Sequence, residues 1–375
     1  MNYGAEHIFK DAPEIRGASG EMLESGKFEA YTDSELIRML DLQADSGEPE
    51  TALCVDIDNT FHKKGYEEAM RQLTQNANER HIPIIAVTGN GFEGVLERIN
   101  SGELPPFAGI AGAVGTELWI LHRDATTGKM TYKKDTFFEN TLREAVYDRL
   151  EIVKKSELMI RELSTSRPNW QLNFQQPERE EVFLKDQNAE HQPFKTSFHF
   201  FASPSEIDVV GKEIHTRFPG NYIVICEEIN HNRTLAENAP IRKYCIDILP
   251  IGKSGVITYL SKLVGIKQGI VAGDSGNDIE MLTRSCGLDA VLVGGHTAEA
   301  ASEIHKLIHR RKDGQRSFQR IVGPDGIERA VYVEPKGSKR QAAESILRAV
   351  TILRRTRNIK RMQTENQIKW LSASQ

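Results

Sequence analysis

Four short apolar runs, each ending abruptly in a polar or glycine-containing turn, constrain the fold of this chain most tightly. They are Ala52-Leu53-Cys54-Val55, Ile82-Pro83-Ile84-Ile85-Ala86-Val87, Gly269-Ile270-Val271-Ala272 and Ala290-Val291-Leu292-Val293. Runs this short with no polar alternation are the pattern of strands buried on both faces of a parallel sheet. Helix-prone segments lie between them, at Glu67 to Arg80, Ser254 to Leu263 and Asp278 to Thr283. Strands and helices in alternation predict a doubly wound, Rossmann-like α/β sheet, whose ligands gather at the carboxyl ends of the strands.

Between the second and third runs the pattern changes. A long amphipathic stretch runs from Phe137 to Leu163. Strand-like segments follow at Trp170–Phe174 and Phe194–Ala202, then a helix at Ser205–Phe218 and a strand at Tyr222–Ile229. Mixed elements of this extent predict a second α/β domain inserted into the first, and 375 residues, at roughly 100–200 per domain, accommodate two. The expected division gives 51–123 and 246–350 to the parallel-sheet core and 124–245 to the insertion. Residues 1–50 form a polar extension in which only Ser34 to Leu40 looks helical, and 351–375 form a basic, helix-prone tail.

Apolar residues make up 39% and charged residues 27%, which excludes a disordered chain and fits an ordinary globular one. The net charge of -5 hides an asymmetry: the chain from Lys306 onward carries +11 and the remainder -16. Cys54, Cys226, Cys245 and Cys286 form no C-x-x-C pair, which argues against a disulfide framework or a zinc knuckle. No basic start followed by an apolar stretch opens the chain, and no run nears the ~18 apolar residues of a membrane span. A reduced, cytoplasmic protein without a membrane span is the expectation.

Chemistry concentrates where the apolar runs end. Asp56-Ile57-Asp58-Asn59-Thr60 follows the first run directly. Two carboxylates so placed can divide the work of phosphoryl transfer, one attacking phosphorus and the other moving protons; a lone D-x-D is also a common surface turn. Gly273-Asp274-Ser275-Gly276-Asn277-Asp278 follows the third run, and its hard oxygen donors suit Mg²⁺, although such a sequence also makes a plain strand-to-helix turn. Thr88-Gly89-Asn90 sets a hydroxyl and successive backbone N–H groups at another strand mouth, suited to a phosphate or simply to ending a strand. Lys253 opens a helix, where a cation opposes the dipole unless an anion faces it; a solvated lysine is the alternative.

Taken together and in this order, these four elements resemble the signature motifs of the haloacid dehalogenase superfamily. Asp274 to Glu280, Asp247-Ile248-Leu249-Pro250 and Val114-Gly115-Thr116-Glu117 resemble its sucrose-phosphate phosphatase branch, in which an α/β cap occupies the insertion. The resemblance implies Asp56 as nucleophile and Asp58 as general acid/base, with Thr88 and Lys253 binding the transferring phosphoryl group. It implies Gly89, Asn90 and Asn277 beside the substrate. Asp274, Asp56 and the backbone carbonyl of Asp58 would hold Mg²⁺, supported by Asp278. Asn90-Gly91 departs from the Arg-Ser that sugar-phosphate relatives often carry there, which affects how substrate is positioned.

In the insertion, Lys195, Ser197 and His199 share one face of a strand by its period of two, with Gln175 and Gln176 nearby. Such a face suits sugar hydroxyls or merely solvent; Lys195 is the substrate-contact candidate. The expected activity is Mg²⁺-dependent hydrolysis of a small sugar phosphate, or a sugar-derived one, through an aspartyl-phosphate. The competing readings are a phosphatase for another small phosphometabolite, and an interaction protein of the same fold. The latter would act through the arginine-rich tail after Thr356, whose charge suits nucleic acid, an anionic surface or the acidic body of the chain.

Overall fold

The computed structural model describes residues 51–124, 126–144, 149–166, 194–227, 242–266, 268–285, 287–308, 319–324 and 326–352. The expected helix at Ser34 to Leu40, the strand Trp170–Phe174 and the tail after 352 lie outside these residues, as do Gln175 and Gln176.

All four apolar runs become strands of one sheet: β1 (Thr51–Val55), β2 (Ile84–Val87), β9 (Gln268–Gly273) and β10 (Asp289–Leu292). The sheet also holds β3 (Gly109–Gly112), β4 (Glu117–Arg123), β5 (Met130–Lys134), β11 (Gln319–Val322) and β12 (Glu328–Val333), in the order β11-β12-β10-β9-β1-β2-β3-β4-β5. From β12 to β3 every neighbouring pair is parallel, whereas β11, β4 and β5 pair antiparallel at the two edges. In β1 the side chains alternate between two cores: Leu53 and Val55 join one, Ala52 and Cys54 the other.

Helices cover both faces. The first core is closed by α1 (Glu67–Asn78) through Met70 and Leu73, by α2 (Phe92–Asn100) through Phe92, Val95 and Ile99, and by the helical segment 343–352 through Ile346. The second is closed by α3 (Thr136–Glu144), α6 (Lys253–Val264), α7 (Ile279–Arg284) and α8 (Ala298–Leu307). This is the doubly wound architecture expected.

The amphipathic stretch from Phe137 is divided between two helices, α3 and α4 (Arg149–Ser166). Its two halves serve different cores: Phe138 and Leu142 pack under the large sheet, Ile152 and Met159 under a second one. That second sheet, ordered β6-β8-β7, consists of β6 (Thr196–Ala202), β7 (Tyr222–Glu227) and β8 (Arg242–Leu249), all antiparallel. Helices α4 and α5 (Pro204–Arg217) pack on one of its faces against Ile223, Tyr244, Ile246 and Ile248. A capping box starts α5: Glu206 Oε2 accepts from the Ser203 N–H at 2.6 Å, and Pro204 occupies the first turn. An α/β cap is thus inserted into the parallel-sheet core. The joints expected at 123/124 and 245/246 fall at the end of β4 and inside β8; the large sheet continues through β5 to Lys134.

Candidate active site

The strand order reverses direction at β1, which lies between β2 on one side and β9 on the other. Such a switch point leaves a crevice at the carboxyl ends of the strands. Asp56, Thr88 and Asp274 are the first residues after β1, β2 and β9, so three neighbouring strands deliver them to one edge. The backbone N–H of Asp56 donates to the Ala272 carbonyl at 2.9 Å, which fixes the start of the first loop against β9.

Lys253 reaches the same place from the start of α6. It is fully buried, and its Nζ lies 2.6 Å from Asp56 Oδ1 and 2.6 Å from Asp278 Oδ1. Burial alone would lower the proton affinity of this ammonium, but the carboxylates of Asp278 and Asp56 outweigh it and hold its pKa above the ordinary value. The lysine at a helix start is therefore explained by two anionic partners. Gly252 permits the approach of the loop: a Cβ there would stand 2.0 Å from Glu280 Oε2 and 2.4 Å from Tyr222 Cε1. Tyr222, on β7 of the cap, hydrogen-bonds the buried Glu280 carboxylate, which also accepts from Ser254 Oγ at 2.5 Å. The cap is thereby tied to the residue following Lys253.

Asp278 acts as a hub. Its Oδ2 accepts from the backbone N–H groups of Asp274 at 3.0 Å and Ser275 at 3.1 Å, while its Oδ1 faces the lysine. Asp274 Oδ1 accepts from Thr60 Oγ1 at 3.1 Å. One carboxylate oxygen from each of Asp56, Asp274 and Asp278 lies within 4.8 Å of the others. Burial raises the pKa of Asp56, which the neighbouring Asp278 and Asp274 reinforce and Lys253 opposes. Burial and Asp278 likewise push Asp274 up to about 7. Three carboxylates crowded this closely are a donor set that fits a hard divalent cation, which would relieve their repulsion.

Asp58 sits outside this cluster, with its side chain 53% exposed. Asn90 Nδ2 donates to its Oδ2 at 2.7 Å and Arg98 Nη1 to its Oδ1 at 2.9 Å. Thr88 is buried; its hydroxyl accepts from the Asn90 N–H at 3.2 Å. Gly89 lies beside Asn277, whose Nδ2 would be 3.9 Å from a Cβ at Gly89, and Asn277 Oδ1 accepts from Ser275 Oγ at 2.7 Å. Lys195 of the cap donates to the Gly89 carbonyl at 3.4 Å and stands 3.4 Å from Asp247 Oδ2. Ser197 Oγ donates to Asp247 Oδ1 at 2.6 Å. His199 pairs with Cys245 in the cap sheet, and its side chain is not among those described.

Among the described residues, Asp56, Thr88, Lys253, Asp274 and Asp278 stand at one edge of the sheet with Asp58, Gly89, Asn90, Asn277 and Lys195 beside them, and three further side chains join them. Arg98 carries no motif; a cation in the last turn of a helix reads as a complement to the dipole. Asp247 is visible in the sequence only as part of the stretch leading to Lys253. Glu117 accepts from the Phe92 N–H at 3.1 Å through Oε2, whereas its buried Oε1 has no hydrogen-bond partner among the described residues. Burial pushes this carboxyl up to about 7. Among the described residues, no helix is long and apolar enough to cross a membrane.

Comparison with solved structures finds the same fold elsewhere. A sucrose-phosphatase from Synechocystis sp. PCC6803, solved with sucrose and phosphate, superposes with a TM-score of 0.51 at 19% identity, covering 80% of this chain and 97% of that one. A haloacid dehalogenase-like hydrolase from Bacillus subtilis gives a TM-score of 0.40 at 14% identity, covering 82% and 90%. Comparison with curated proteins finds no match. A family model described as haloacid dehalogenase-like hydrolase matches residues 53–294. That match takes in all four motifs and well over half of the chain, which therefore belongs to the haloacid dehalogenase-like hydrolases.

Proposed function

We propose that this chain is a Mg²⁺-dependent phosphatase that hydrolyses a small sugar phosphate, or a sugar-derived one, through an aspartyl-phosphate. The observation that carries the reading is Lys253, buried and bridging Asp56 and Asp278 at 2.6 Å beside Asp274. A buried ammonium facing a carboxylate cluster is arranged for anionic oxygens, and phosphoryl transfer depends mainly on positioning and charge neutralisation.

Asp56 attacks phosphorus with one carboxylate oxygen. The new O–P bond forms as the ester P–O bond breaks, and Asp58 gives its proton to the departing alcohol oxygen. Asp58 then takes a proton from a water that attacks the same phosphorus, which returns Asp56 to a carboxylate and frees phosphate. Lys253 holds Asp56 in place and faces the phosphoryl oxygens, and Thr88, the backbone around Gly89 and Asn277 receive them. Asp56, Asp274 and Asp278, with the Asp58 carbonyl, would hold Mg²⁺, which when bound supplies positive charge against the phosphoryl oxygens.

The sugar preference is supported by the cap. Lys195, Ser197 and Asp247 form a polar cluster directly over Gly89, a surface suited to hydroxyl groups. The superposed Synechocystis protein was solved with sucrose and phosphate. A panel of phosphorylated sugars, nucleotides and phosphorylated cofactors, assayed for phosphate release with Mg²⁺, tests both parts. Turnover confined to sugar phosphates and reduced at least about 10³-fold by Asp56→Asn is expected. Undiminished turnover in Asp56→Asn would overturn the nucleophile, and a preference for nucleotides would overturn the substrate class.

A further inference from the structure

Asp58 has a task that demands aim, yet its side chain stands out toward solvent from an otherwise buried loop. Its side chain is 53% exposed, and left to itself such a carboxylate would sample several rotamers. Both of its oxygens are instead held, Oδ2 by Asn90 and Oδ1 by Arg98. We propose that Arg98 is a positioning residue for Asp58, the element that fixes the acid/base in this chain; the proposal rests on the phosphatase reading above.

Arg98 is itself held from the side facing away from Asp58. Its Nε and Nη2 both lie 2.8 Å from Glu103 Oε1, and Nη2 lies 3.0 Å from His62 Nδ1. The chain after α2 turns back on the arginine, with the Glu103 and Leu104 N–H groups donating to the Arg98 carbonyl at 3.0 and 3.1 Å. The guanidinium is planar, so contacts along one edge fix the direction in which Nη1 points. With 20% of its side chain exposed, Arg98 is screened enough for this pairing to be directional.

Both donors to Asp58 come from the segment that starts at Thr88. Asn90 lies in the loop and Arg98 on α2, which begins at Phe92 directly after that loop. The element that presents Thr88 and Gly89 to the phosphoryl group thus also sets the direction of the acid/base. Position 90 in this chain is an asparagine. Its amide takes one oxygen of Asp58, and the guanidinium on the other oxygen arrives from further along the helix. A chain that lost Arg98 would keep its nucleophile and metal ligands in place but lose the aim of Asp58.

A double-mutant cycle with p-nitrophenyl phosphate and Mg²⁺ tests the proposal in the full chain. Arg98→Gln is expected to lower kcat about tenfold or more and KM with it, leaving kcat/KM within about twofold, because p-nitrophenolate departs without protonation and only the attack of water needs Asp58. Introduced into Asp58→Asn, the same change is expected to alter kcat less than about twofold. Arg98→Lys, which restores a cation without the fork, should recover part of the loss. Glu103→Gln, whose side chain is 41% exposed, should produce a smaller loss that also vanishes with Asp58→Asn, and it carries the test if Arg98→Gln fails to fold. The proposal is overturned if Arg98→Gln folds with kcat unchanged, or if either variant slows Asp58→Asn as much as it slows the parent. An inactive Asp56→Asn together with an additive cycle overturns the role of Arg98 alone; an active Asp56→Asn overturns both readings.

Discussion

Asp56 and Asp58 are separated by one residue and stand in opposite surroundings. The Asp56 side chain is 9% exposed and meets a fully buried lysine from the start of the core helix α6. The Asp58 side chain is 53% exposed and meets a partly exposed arginine from α2. In the first pair water is excluded, so charge balance dominates: removing either partner leaves the other buried and uncompensated. In the second, water screens much of the Coulombic attraction, and the pair contributes mainly direction. One ion pair sets the charge of the site and the other sets its aim.

The contrast is sharpest at Lys253. Lys253→Met removes the cation and leaves Asp56, Asp278 and Asp274 facing one another. Breaking a buried pair in this way typically costs about 3–5 kcal/mol, so chemical denaturation should report a loss of that order together with near-complete loss of phosphate release. If Lys253→Met keeps its stability, the carboxylates relieve one another without it, and the buried pair is no different in kind from the exposed one. The Arg98 variants stand next in expected effect: they should slow turnover while leaving stability nearly unchanged.

Glu117 provides a third case, a buried carboxyl that makes no ion pair among the described residues, although Lys134 and Lys195 favour its charged form. It takes up a proton where Asp56 takes up a lysine: burial moves its pKa from 4.5 to about 7. The folded chain therefore binds this proton more tightly than the unfolded chain does. The stability it contributes is complete below about pH 4.5 and is lost as pH rises through about 7. Glu117→Gln cannot ionise, so it should gain on the parent by up to about 3 kcal/mol between pH 5 and pH 8, read by denaturation at the two values. An unchanged difference across that range would mean that Glu117 is ionised in the fold.

Much of the site was legible in the sequence because its residues follow short apolar runs, and in a doubly wound sheet the end of a strand is the site. Asp56, Thr88 and Asp274 stand where that rule points and Lys253 stands out by its unfavourable place at a helix start, but plain turns and a solvated lysine fitted the same residues until the resemblance joined them. What remained hidden depends on contacts between distant segments. Arg98 reads as an ordinary helix-terminal charge until α2 is docked beside Asp58. Strand β3, Gly109-Ile110-Ala111-Gly112, is too poor in large apolar residues to declare itself, and pairing with β2 on one side and β4 on the other makes it a strand. The stretch from Phe137 to Leu163 has one amphipathic pattern in sequence but serves two cores, which no periodicity could separate. Tyr222 and Glu280 look like unrelated surface residues, and only the absence of a side chain at Gly252 lets them meet.

The central claim is that Asp56 becomes phosphorylated while Asp58 moves protons. Rapid quenching of Asp58→Asn during turnover of p-nitrophenyl phosphate tests it most directly, since this leaving group departs without protonation and release of the enzyme-bound phosphate is the impaired step. Borohydride reduction of the quenched protein, followed by peptide mass spectrometry, should find homoserine at position 56 in proportion to the nitrophenol burst. A burst with position 56 unmodified, or a reduced residue elsewhere in the chain, would contradict it.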